Sequence, residues 1–342
     1  MRRLVLSCAV LAAAGCSPQR SADRLVGHTM GTTYEVVVVG RPRELTVAAI
    51  QAEVDHVLGN VDRHLSGWNP DSELSRFNAA GTADWIPATR LLAETVARAQ
   101  TVSRGSGGAF DVTVAPLVRA WGFGAGAVAA AMVPTAAELA RLRQSVGYER
   151  LQLRLDPPAL RKSVPTLRVD LDGIAPGLAV DRIAARLEAL GVRDYLVELG
   201  GEVRARGRSS AGRPWRVAVE VPLPGERRPY ALVELDGVGV STSGDYRDFR
   251  SVAGRRISHT IDPRTGAPVA HGLASVTVVH ASVAEADAWA TALTVIGPDQ
   301  GLALASRLDL AALFIERTAS GALRESATAG FAAFRRPMAR EL

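Results

Sequence analysis

Asp287 and Thr291 stand four residues apart in the stretch SVAEADAWATALTVIG, which places them on one helix face, one turn apart. Ser282 followed by Glu285 reads as a capping box at the helix start, and Gly297-Pro298 reads as its stop. Between these ends nearly every residue is small or apolar, so the spacing predicts a buried helix. A buried carboxylate needs a partner, because unpaired it costs several kcal/mol or shifts its pKa. An arginine would answer this. So would a hard cation, Mg²⁺ or Ca²⁺, which takes carboxylate, hydroxyl and backbone carbonyl oxygens. Lysine does not enter, since the chain holds a single one, Lys162, which also argues against Schiff-base chemistry and a P-loop.

Two further stretches place polar residues on glycine-flanked turns. DLDGIAPGLAVD sets Asp170 and Asp172 at the end of an expected strand, then Gly173, Gly177 and Asp181 where a helix begins. Glycine lets backbone approach a ligand closely, and a helix N-terminus suits phosphate oxygens. ISHTIDPRTGAPV puts His259 in an expected strand ahead of a tight Asp-Pro and Thr-Gly turn. The turn chemistry accounts for Pro263 and Gly266 and leaves His259 either structural or catalytic. Other motifs fail. GFGAGA at Gly122 lacks a βαβ setting and a following acid, so it reads as a surface loop. There is no G-x-S-x-G elbow and no histidine spacing suited to zinc.

These residues need a large scaffold to position them. The chain has 342 residues, 47% apolar and 22% charged, enough for one large core or two interlocked ones. Its net charge of +5 comes almost wholly from scattered arginines, so nucleic acid is not an expected partner. Apolar spacing from Val47 to Leu65 predicts a helix. LLAETVARAQTVSRG, TAAELARLRQSVG (with a Thr135/Glu138 capping box) and AVDRIAARLEALG predict three more. TTYEVVVVG, LQLRLD, TLRVDLDG, DYLVELGGEVRARG, WRVAVEVP, YALVELDGVGVSTSG, LASVTVVHA and LAALFIE read as strands. Strands that follow one another directly imply an α+β class, with mixed or antiparallel sheets and helices packed on them.

The N-terminus reads as a targeting segment. Arg2 and Arg3 precede an apolar run to Ala14, and AAGC then places Cys16 after Gly15. This looks like a bacterial lipobox, with residues 1–15 removed and Cys16 diacylated. The apolar run is short for a transmembrane helix. Residues 16–27 read as a tether. The expected location is a membrane surface, lipid-anchored on the periplasmic or extracytoplasmic side.

Eight stretches occur together and in order: HTMGTTYEV, LSGWNPDSELSRFN, GAFDVTVAPLVRAWGFG, VDLDGIAPGLAVDRI, YLVELGGEVRARG, VSTSGDY, HTIDPRTGAPV and ADAWATAL. As a set they resemble the ApbE family of FAD:protein FMN transferases. The resemblance implies a domain over residues 28–320 with an ApbE-like (T-fold-like) architecture; residues 321–342 are left unassigned. It implies FAD as substrate, Mg²⁺ as cofactor, and FMN transfer to a threonine or serine hydroxyl with release of AMP. The acceptor would be a flavoprotein subunit of a membrane-bound electron-transfer or sodium-pumping type. By position, the metal ligands would be Asp287, Thr291 and the carbonyl of Ala175. Flavin and adenosine contacts would fall on Met30, Trp68, Ala109, Phe110, Asp111, Asp172, Leu178 and His259, with Ser241 to Gly244, Ser243 among them, by the phosphates. His259 would be the base and Asp287 would serve the catalytic metal. Pro176 stands where many members carry lysine. Two other activities share these features: an FAD pyrophosphatase and a non-catalytic FAD-binding lipoprotein.

Overall fold

Alternation of apolar and polar residues builds the central sheet. In the computed structural model, which describes residues 20–125, 133–246, 249–252 and 255–338, the strands that matter are β1 (Ala22–Thr29), β2 (Thr32–Val39), β3 (Asp194–Leu199), β4 (Glu202–Arg206), β5 (Trp215–Glu220), β6 (Pro229–Leu235), β7 (Val238–Gly244), β8 (Leu273–His280), β9 (Ala311–Arg317), β10 (Leu323–Ala327) and β11 (Arg335–Arg336). Eight of them form one sheet in the order β1-β2-β3-β4-β7-β8-β9-β10, with every neighbouring pair antiparallel. A smaller sheet, β11-β6-β5, lies on one side. The segment expected to be a signal peptide, with Cys16, and part of the glycine-rich loop (126–132) lie outside the described residues.

Both faces of the large sheet are covered. One packs Val36, Val38, Val276 and Val278 against helices α1 (Val47–Leu65), α3 (Arg90–Gly105), α4 (Ala175–Ala189) and α5 (Val283–Ile296). The other packs Val203, Val240, Leu313 and Ile315 against Val219, Val233 and Leu235 of the small sheet. This double cover explains why β8 and β9 are buried along nearly their whole length rather than alternating. Two further helices, α2 (Glu73–Ala79) and α6 (Pro298–Arg307), add Leu74, Phe77 and Leu304 to the core on the helical side.

Several expectations change. Residues 20–27 are not a free tether: Arg20 bonds Ser210 and Asp194, and β1 begins at Ala22 because its backbone pairs with β2. TLRVDLDG joins no ladder, and it ends in a turn at Asp172 and Gly173. Instead the Asn78 amide serves both backbone groups of Val169, at 2.8 and 2.7 Å, and the Asp170 amide donates to Val112 at 2.7 Å. His259 sits on a bend between short strands, not within one. Asp181 lies in the second turn of α4 rather than at its start. The stretch after Arg317, which the sequence left unassigned, supplies β10 to the large sheet and β11 to the small one.

Candidate active site

The site begins where α4 crosses the start of α5. A Cβ on Gly177 would meet the Val283 carbonyl oxygen at 2.5 Å and the Ala284 nitrogen at 2.8 Å, so only glycine permits this approach. One turn later the Asp181 carboxylate accepts from the Ser282 hydroxyl and from the Val283 and Ala284 amides, at 2.7–3.1 Å, and pairs with Arg204. Asp181 therefore completes the α5 cap. The expected capping box is only half formed. The Ser282 hydroxyl accepts from the Glu285 amide, while the Ser282 amide donates to His280 and the Glu285 carboxylate turns to His280. The residue before helix α4, Ile174, is its N-cap and makes no side-chain capping hydrogen bond, and the Gly177 amide donates to Asp287 at 3.4 Å. An acid thus stands at the positive end of α4.

The surrounding charge is negative. Burial holds Asp287 well above the usual carboxylate range, and the charges of Glu202 and Asp172 push the same way. Among the described residues no arginine or lysine pairs with it, so the arginine partner open at the sequence level is not found there. Burial, then the charge of Asp172, pushes Asp170 up to about 7; burial also raises Asp172. The Asp172 amide donates to Asp170, and the indole of Trp68, 61% exposed, donates to the Asp172 carboxylate at 2.9 Å. Glu202 accepts from Ser241 at 3.2 Å.

Thr291 stands one turn beyond Asp287, beside Gly173. A Cβ on that glycine would lie 3.4 Å from the Thr291 hydroxyl and 3.2 Å from the Phe110 ring. No described group hydrogen-bonds the Thr291 hydroxyl. No cluster of three His, Cys, Asp or Glu side chains is arranged to hold an ion among the described residues. One carboxylate, one hydroxyl and the carbonyl of Ala175, in the first turn of α4, are a different set of hard donors. They fit a divalent cation on electrostatic grounds, since the carboxylate is buried, lacks a counter-cation and has acidic neighbours.

The other expected contacts divide. Met30, with Gly31, makes the two-residue β1–β2 turn, both at positive φ (48° and 74°), so a non-glycine residue is held in the left-handed region at the rim. Ala109 and Phe110 are buried, and Leu178 follows Gly177. The Asp111 carboxylate is taken up by Thr113 and the Tyr148 amide, so it acts as a brace for local backbone. Ser243 lies on the same face of β7 as Ser241, two residues on. His259 packs edge-on against Phe123, ring centres 6.3 Å apart. Sequence reasoning missed Glu202 as a site residue. It is one member of a strand and becomes legible only when register brings it, bonded to Ser241, to the side of Asp287.

The sequence pattern of the ApbE family matches residues 30–314. The chain belongs to the ApbE family. By that membership it is an enzyme of the transferase class. It is 39% identical over 308 residues to a Klebsiella pneumoniae protein named FAD:protein FMN transferase, covering 89% of this chain and 87% of that one. A Vibrio cholerae protein of the same name is 38% identical over 331 residues, covering 97% and 98%. The apo crystal structure of the Pseudomonas stutzeri flavinyl transferase ApbE superposes with a TM-score of 0.84 at 42% identity, covering 92% of this chain and 97% of that one.

Proposed function

We propose that this ApbE chain transfers FMN from FAD to a threonine or serine hydroxyl of a target flavoprotein and releases AMP. The observation that carries the reading is the uncompensated carboxylate Asp287, flanked by Glu202 and Asp172 and one turn from Thr291. Asp287, Thr291 and the Ala175 carbonyl would hold Mg²⁺. When bound, that ion supplies positive charge to offset a diphosphate and its departing AMP. The chain's own residues do the rest. Trp68, fixed through Asp172, offers an exposed aromatic face to a flavin ring. The Ser241–Ser243 edge of β7 offers hydroxyls to phosphate oxygens. His259, held against Phe123, would accept the acceptor hydroxyl's proton. The chain would work lipid-anchored through Cys16. No helix among the described residues is long and apolar enough to cross a membrane.

The test is to incubate the protein with FAD, Mg²⁺ and a candidate acceptor subunit, and to weigh the acceptor by mass spectrometry. An added FMN on threonine or serine is expected. AMP release with no modified acceptor would instead identify an FAD pyrophosphatase.

A further inference from the structure

Helix α2 is tied to the run 169–172 at both of its ends. At the C-terminal end the Asn78 side chain accepts from the Val169 amide at 2.7 Å and donates to the Val169 carbonyl at 2.8 Å. At the N-terminal end Ser72 caps the helix, and its hydroxyl donates to the Ser66 carbonyl at 2.6 Å. The Ser66 hydroxyl in turn accepts from the amides of Trp68 and Asn69, at 3.2 and 3.1 Å. The Trp68 indole then closes the ring on Asp172. A shift of α2 must therefore move Trp68 or strain its bond to Asp172.

One cation fixes the helix in this ring. Lys162, the chain's single lysine, ends the short strand Pro158–Lys162 and is wholly buried. Its ammonium donates to the Asn78 and Ala80 carbonyls, at 3.1 and 2.7 Å, where α2 runs out of intrahelical donors. It also lies over the Phe77 ring, 4.8 Å from the ring centre. Burial, and then the like charge of Arg168, bring its pKa down to about 8. Helices commonly end through glycine, at no such cost. What the lysine adds is a fixed link from a strand to Asn78, the residue that grips Val169.

We propose that Lys162 and Asn78 are positioning residues for FAD: they lock α2 against the run 169–172 and, through Asp172, set the Trp68 indole that meets the flavin ring. This rests on the reading of Trp68 as a flavin contact.

The test uses the full chain labelled with ¹⁵N-tryptophan. The Trp68 indole N–H resonance, assigned by its loss in Trp68→Ala, reports the bond to Asp172 and needs no flavin. In Lys162→Met and in Asn78→Leu it is expected to shift and to exchange faster with water. The indoles of Trp121 and Trp215, which donate to the Gly266 and Arg206 carbonyls, should stay in place and show that the fold is kept. FAD should bind ~10-fold more weakly to both variants, read by flavin fluorescence quenching, while kcat at saturating FAD stays within ~2-fold of the parent. A Trp68 signal unmoved in both variants overturns the proposal, and so does a fall in kcat with FAD affinity intact. If Lys162→Met also moves Trp121 and Trp215, Asn78→Leu decides alone. If the parent transfers no FMN, the resonance and FAD affinity decide by the same criteria. Unchanged FAD affinity in Trp68→Ala would fail the reading of Trp68 as a flavin contact. Whether Lys162 and Asn78 set the indole is still decided by the resonance, a shift supporting it and none overturning it.

Discussion

The two sides of the large sheet treat their acids differently. On the small-sheet side, Glu234 is held between Arg336 and Arg216, and Glu325 pairs with Arg335; these arginines pull both carboxyls below the usual range. On the helical side, Asp287, Asp172 and Asp170 are raised, and among the described residues no arginine or lysine pairs with them. The first arrangement is complete as folded. The second is stable only because the rest of the core carries it, and a positive ligand would relieve it. Unrelieved charge in a well-packed core is a mark of a site.

The largest effect that sharpens this contrast should come from Asp287→Ala. FMN transfer should fall by at least ~10³-fold, as when a preorganised electrostatic group is lost. Transfer that persists in EDTA would break the contrast. Next, His259→Asn should reduce transfer by ~10²–10⁴-fold while FAD affinity, measured by fluorescence quenching, stays near that of the parent. Full activity in that variant would move the base elsewhere.

A smaller effect concerns pH. A carboxyl whose folded pKa is raised binds more protons in the native state, so stability falls as pH rises. For Asp170 the loss should run from pH ~4, near the unfolded value, to about 7. In EDTA the protein should therefore melt higher at pH 5 than at pH 7.5 from this source. Asp170→Asn should shrink that difference by a few degrees, read by calorimetry. A difference unchanged by the substitution would place the pH response elsewhere. The smallest effect should come from Glu234→Gln. It should cost ~1 kcal/mol or less in a denaturant melt, because its ion pairs are near the surface, and leave transfer unchanged.

Local signals were legible in the sequence. Helix α1 matches the Val47–Leu65 spacing, with Ile50, Val54, Leu58, Val61 and Leu65 buried. The Thr135/Glu138 capping box forms in full. The buried helix carrying Asp287 and Thr291 could be read because its caps and composition lie within one short stretch. Contacts across long separations were not legible. Asp181 caps a helix 101 residues away, Asn78 substitutes for a strand partner of Val169, and Glu202 gains its meaning from the β4 register. Helix α2, seven residues long, is too short for periodicity to show.

The central claim is that Asp287 and Thr291 hold a divalent ion at the α4–α5 crossing. Calorimetric titration of Mg²⁺ into the FAD-bound protein tests it most directly. The account predicts one site in the parent chain, weakening as pH falls because protons compete for Asp287, and heats at the dilution level for Asp287→Asn. Equal binding by parent and variant would contradict it.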